Sequence, residues 1–71
     1  MDTIFSNHAK ERLKQRGIAK KSALSTVNFS DEQSTSTRDR HLYRKKFRSK
    51  ILEVITTVED RALIVITAYY L

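Results

Sequence analysis

His8, Arg12 and Arg16 stand four residues apart in the segment Ser6-Asn7-His8-Ala9-Lys10-Glu11-Arg12-Leu13-Lys14-Gln15-Arg16-Gly17-Ile18. On a helix, a step of four residues advances about 40° beyond a full turn, so the three side chains span roughly 80° of the circumference. One helix edge then carries an imidazole and two guanidiniums, a combination suited to a phosphodiester. Metal-free RNA cleavage needs a base for the 2′-OH proton, a cation for the charged phosphorane, and an acid for the departing 5′-oxygen. His8, in the first helical turn, is the candidate base. Arg12 and Arg16 offer forked donors to phosphate oxygens. Tyr69, Tyr43 or His41 supplies the acid, or a surface on which a base can stack. The carboxylates are scattered, with no pair at ligand spacing, which argues against a two-metal nuclease and for a site without metal or cofactor.

The same residues have a structural reading. His8 then caps or packs at a helix start, and Arg12 and Arg16 pair with Glu11, Glu32 or Glu53. Tyr69 is then an ordinary strand residue, and Arg44, Lys45, Lys46 and Arg48 form a solvated face. Charge placement bears on the choice. Residues 8–21 hold six Lys/Arg against one acid and residues 38–50 hold seven against one, leaving one Arg and six acids elsewhere. Positive charge gathered into two segments favours a polyanionic partner. Lys10 and Lys14 in the first segment, and Arg44, Lys45, Lys46 and Arg48 in the second, are the candidate nucleic-acid contacts.

The elements that must position these groups follow from local signals. Ser6 or Asn7 can accept from a free N–H of the first helical turn. Gly17 can take the left-handed conformation that ends a helix, with Leu13 and Ile18 placed for the apolar contact of a Schellman stop. Phe5, Ala9 and Leu13 form a narrow buried stripe. A second helix runs from about Lys20 to Asn28, with Ala23, Leu24 and Val27 on one side. Its start is weakly marked, since Ala19 is a poor cap.

From there the period changes to two. Glu32–Arg38 suits a polar edge strand or a partly disordered stretch, and Arg38-Asp39-Arg40 a turn. His41–Phe47 alternates Tyr43, Lys45 and Phe47 against Leu42, Arg44 and Lys46. Ile51–Val58 and Ala62–Tyr70 are joined by a tight hairpin at Glu59-Asp60. Plain alternation sets Leu52, Val54 and Val58 against Ile51 and Ile55. In the last strand it sets Leu63, Val65, Tyr69 and Leu71 against Ala62, Ile64, Ile66 and Ala68. The expectation is an α+β fold, two N-terminal helices packed on a four-stranded antiparallel meander sheet. Both faces of the last two strands are rich in apolar residues, so the face away from the helices calls for a cover: a second copy in a homodimer, a protein partner, or the arm Asp2–Phe5.

At 71 residues there is room for one domain, residues 1–71, with a thin core. The absence of cysteine excludes disulfides and thiolate metal sites. Met1–Phe5 lacks the charge pattern of a signal peptide. Ile51–Leu71 is interrupted by Glu53, Glu59, Asp60 and Arg61, too charged for a membrane helix. These features lead to the expectation of a cytoplasmic protein without a membrane partner.

The pattern Ser6-x-His8-Ala9-x-x-Arg12-Leu13-x-x-Arg16-Gly17-Ile18, with the closing run Ile64-Val65-Ile66-Thr67-Ala68-Tyr69, resembles a group of small bacterial and phage proteins known as domain of unknown function 4258. The resemblance covers nearly the whole chain, although Ala19 stands where a capping serine is usual and Glu32–Arg38 carries no signature. That group looks similar in fold to the RelE/ParE-like toxins and, more loosely, to the barnase–EndoU–colicin–RelE class of ribonucleases. The resemblance implies His8, Arg12, Arg16, Thr67 and Tyr69 as the functional set. It further implies a toxin-like endoribonuclease acting on mRNA or other single-stranded RNA and neutralised by an antitoxin. A non-catalytic RNA- or DNA-binding module, or a protein-interaction subunit with an incidental basic face, would use the same surface.

Overall fold

The structure, a computed structural model, describes residues 2–36 and 38–71. Met1 and Thr37, the latter within the expected edge strand, lie outside the described residues. The elements run β1 (Asp2–Phe5), α1 (Asn7–Gln15), α2 (Lys20–Asn28), β2 (Glu32–Thr35), β3 (His41–Phe47), β4 (Lys50–Glu59) and β5 (Ala62–Tyr70). No helix among the described residues is long and apolar enough to cross a membrane.

Both ends of α1 are fixed by its own sequence. Ser6 is the N-cap, its Oγ accepting from the Ala9 N–H at 3.0 Å. At the other end Gly17 has φ +63°, its N–H donates to Lys14 O, and the Ile18 N–H donates to Leu13 O at 2.9 Å. These are the two bonds of a Schellman stop, and its apolar pair, Leu13 and Ile18, is buried in the core. Helix α2 starts at Ala19 without a side-chain cap. It is held by packing instead, with Ala23 and Thr26 fully buried and the Thr26 hydroxyl donating back to Ser22 O.

The expected four-stranded meander is part of a larger sheet. Five strands lie in the order β1-β5-β4-β3-β2, and β1 pairs with β5 in parallel, Phe5 opposite Val65 and Ile4 opposite Ile64. The arm Asp2–Phe5 therefore extends the sheet at its edge and leaves the face away from the helices uncovered. Four residues are too few for a period to declare them a strand. What makes them one is the long-range partner, which takes Phe5 into the core and leaves Ile4 half exposed on the opposite face.

A second correction concerns which side chains share a face. Thr56 pairs with Val65 but Ile55 pairs with Thr67, so Ile66 is an extra residue on β5. Such a bulge reverses the alternation along its strand. Val65 and Ala68 both turn toward the helices and are fully buried, whereas Tyr69, expected on the side of Val65, turns to the opposite face beside Thr67. The core between helices and sheet holds Phe5, Ala9, Leu13, Ile18, Ala23, Leu52, Val54, Val65 and Ala68. The open face carries Ile4, Leu42, Ile55 and Ile64 toward one end and a row of polar side chains toward the other.

Candidate functional site

Strand β1 pairs only with Ala62–Val65, its last contact continued by the Ser6 N–H to Val65 O. Beyond that point no strand among the described residues flanks the outer side of β5, and α1 packs against it there. Arg16, the last residue of the helix edge, closes this margin. Its Nη1 donates to Thr67 Oγ1 at 3.0 Å and to the Ala68 carbonyl at 2.9 Å, and its guanidinium carbon lies 5.8 Å from the centre of the Tyr69 ring. The side chain thus reaches from the helix layer round the sheet edge to the open face. Three of the expected site residues, Arg16, Thr67 and Tyr69, meet at this point.

Tyr69 belongs to a row that crosses the sheet. Glu32, Arg44, Glu53 and Tyr69 are register partners on β2, β3, β4 and β5 in turn. Paired residues share a face. Glu53, only 3% exposed, is the hub. Its Oε1 accepts from Arg44 Nε at 2.7 Å, and its Oε2 accepts from the Tyr69 hydroxyl. Arg44 Nη1 also lies 3.7 Å from Glu32 Oε2. The bond to Glu53 holds the Tyr69 phenol above the ordinary tyrosine range, because ionising it would set two anions together; burial adds in the same direction. The same carboxylate raises Arg44, so the guanidinium stays charged.

His8 and Arg12 form a separate pair on the α1 edge. Arg12 Nε donates to His8 Nε2 at 3.3 Å, and Arg12 Nη1 donates to Gln15 Oε1 at 3.3 Å. His8 is exposed at the helix start. Eight residues, or about 12 Å of helix axis, separate it from Arg16. The expected site residues therefore fall into two groups along one edge, His8 with Arg12 and Arg16 with Thr67 and Tyr69.

The basic residues do not share one surface. Around α1, Lys10 and Lys14 lie beyond the buried stripe, on the side opposite the arginines, and border a shallow hollow with Leu13, Ile18 and Lys20. Strand alternation divides the second segment. Arg44 and Lys46 face the open side, and Lys45 reaches toward the helices, its Nζ donating to Phe29 O at 3.1 Å. Arg48 sits in the β3–β4 turn with φ +57°. Tyr43 and His41, the other candidates for an acid, are half-buried; Tyr43 is on the helix side, and the carbonyl of His41 accepts from Thr56 Oγ1. Among the described residues no group of three or more His, Asp or Glu side chains is placed to hold a metal ion.

Sequence reasoning missed the role of Glu53. Its signal was a single charge within the apolar run Ile51–Val58. Glu53, by charge a candidate partner for Arg12 or Arg16, takes Arg44 instead, because the β3–β4 register sets the two directly opposite.

The family model described as Domain of unknown function (DUF4258) matches residues 5–70. No curated protein and no solved structure matches the chain.

Proposed function

The chain belongs to the DUF4258 family, and we propose that it is a toxin-like, metal-independent endoribonuclease, similar in kind to the RelE/ParE toxins and acting on single-stranded RNA. The observation that carries this reading is the His8–Arg12 pair, exposed on a helix edge that continues to Arg16 and Tyr69. Nε2 of His8, as acceptor of the Arg12 bond, is the nitrogen that can take the 2′-OH proton as the 2′-oxygen bonds to phosphorus. The imidazolium so formed, or water, protonates the 5′-oxygen as its bond to phosphorus breaks. Arg12 is within reach of the same substrate atoms and stabilises the charge that develops on the phosphorus oxygens. Arg16 and the polar row then meet the neighbouring nucleotide. Cleavage of a mixed-sequence RNA in EDTA is the direct test. Intact RNA after prolonged incubation would count against the reading.

One observation favours a second reading, a nucleic-acid-binding module without catalysis. The Tyr69 hydroxyl is committed to Glu53 and shifted away from easy proton release, so it is a poor general acid. Both readings require binding that weakens as salt rises. With about four phosphates contacted, log affinity against log salt should slope near −3 on a single strand, measured by fluorescence anisotropy. A flat response would remove both and leave the protein-interaction subunit.

The uncovered apolar residues Ile4, Leu42, Ile55 and Ile64 support a protein partner on the open face, an antitoxin or a second copy. Sedimentation of the purified chain should give a dimer if the partner is a second copy. A monomer at all concentrations would leave the antitoxin.

A further inference from the structure

Glu53 is the costliest side chain in the sheet to keep where it is. A buried carboxylate loses its hydration, and an apolar residue of similar volume at such a position is often as stable or more so. Its neighbours on β4 are Leu52, Val54 and Ile55, so an aliphatic side chain would fit the strand. Glu53 instead spends both oxygens on side chains from the two flanking strands, Arg44 on β3 and Tyr69 on β5. Neither of those is buried, and both lie on the uncovered face. A charged hub that fixes two half-exposed groups orders a surface and does little for a core.

We propose that Glu53 is a positioning residue that holds Tyr69 and Arg44 as a rigid pair beside Arg16, and that this pair binds one unpaired nucleotide of a single-stranded RNA. Tyr69 supplies a ring against which a base stacks and Arg16 supplies the flanking cation, while Arg44, paired with Glu53 and Glu32, offers its remaining N–H donors. Stacking on an aromatic ring tolerates any base, so the seat contributes affinity more than sequence choice. Tyr69 is thereby a substrate contact with its hydroxyl used for orientation, which accounts for a phenol held in its neutral form. The inference rests on the nucleic-acid reading of the site and is independent of cleavage.

The probe is a single-stranded 2′-O-methyl oligoribonucleotide of about eight nucleotides, which lacks the hydroxyl needed for self-cleavage and stays intact in either case. Binding to the full chain is read by anisotropy at low salt, and the Tyr69 ring is followed by NMR with Tyr69→Phe as assignment control. Glu53→Gln should weaken binding about tenfold, in the range expected for a lost base stack. The Tyr69 titration should move down toward the ordinary tyrosine value. Tyr69→Phe, which keeps the ring and removes only the bond to Glu53, should lose a similar factor. The double variant should be no worse than either single one, since both break the same link. In the wild type, RNA should shift the Tyr69 ring signals upfield.

A folded Glu53→Gln or Tyr69→Phe that binds as tightly as wild type would overturn the inference. Unshifted Tyr69 signals at saturating RNA would do the same. If wild type fails to bind the probe at all, the nucleic-acid reading falls and takes the seat with it. If the probe binds as described but RNA survives in EDTA, only the catalytic reading fails.

Discussion

Val65→Asp should unfold the protein at room temperature, as read by far-UV circular dichroism and the loss of NMR dispersion. Val65 is fully buried, opposite Phe5 on one side and Thr56 on the other, under the helices. Removing its burial costs about 1.5–3 kcal/mol. Placing a carboxylate there without a partner costs several kcal/mol more, or forces it to stay protonated. A core of this size rarely supplies more than about 3–5 kcal/mol in total, so either term is a large share and both together exceed it. Ile64→Asp is the matched control, one residue along the same strand and on the open face. It should keep a cooperative melt within about 1 kcal/mol of wild type, the usual cost of a change outside the core. Cooperative unfolding of Val65→Asp near the wild-type midpoint would mean that the packing of helices on this face is wrong.

That contrast between adjacent residues follows from plain alternation, which holds as far as Val65; the bulge at Ile66 breaks it one residue on and marks where the sequence stops being readable. Helix ends are local. Ser6 and Gly17 act on backbone groups within a few residues, so α1 could be bounded from its own letters, and its Schellman bonds formed as the spacing requires. Strand pairing is not local. Nothing within Asp2–Phe5 announces that β5 is waiting to receive it. Nothing within Ile64-Val65-Ile66-Thr67 announces that one of four β-formers will be passed over by β4. A single skipped residue exchanged the faces assigned to Tyr69 and so changed its neighbours from the core to Glu53.

The same division runs through the site. The four-residue spacing of His8, Arg12 and Arg16 predicted a shared edge, and the His8–Arg12 bond lies along it. The partners of Arg16 are more than fifty residues away, and only the resemblance of the C-terminal run to its family joins Thr67 and Tyr69 to it. Along the chain, the charges of the basic run Arg44–Arg48 form one patch. A strand divides such a run between two faces, and the cation that ended on the polar row is paired with two carboxylates. Glu53, whose importance lies in the registers on both sides of β4, had no local signature beyond its oddness among aliphatic neighbours.

His8→Ala should leave the fold and RNA binding close to wild type and reduce cleavage by about 10²–10⁴, the usual contribution of a positioned acid or base. The residue is exposed in the first turn of α1, so truncation removes no core volume. In the free protein Arg12 occupies the His8 Nε2 lone pair at 3.3 Å. A phosphate drawn to Arg12 competes for that guanidinium, and its departure from the imidazole frees Nε2 to receive the 2′-OH proton as the oxygen attacks phosphorus. Substrate binding and activation of the base are therefore one event in this scheme. Arg12→Ala should accordingly weaken binding and cleavage together, because it loses a contact made in both ground and transition states. His8→Gln separates proton transfer from hydrogen bonding: an amide can accept from Arg12 but cannot carry the proton, so it should be as inactive as alanine. The measurement is the rate of cutting of a mixed-sequence RNA in EDTA by wild type and the three variants, purified identically so that a contaminating nuclease would show equally in all. Equal rates for wild type and His8→Ala would remove His8 from the chemistry and leave this edge as a binding surface.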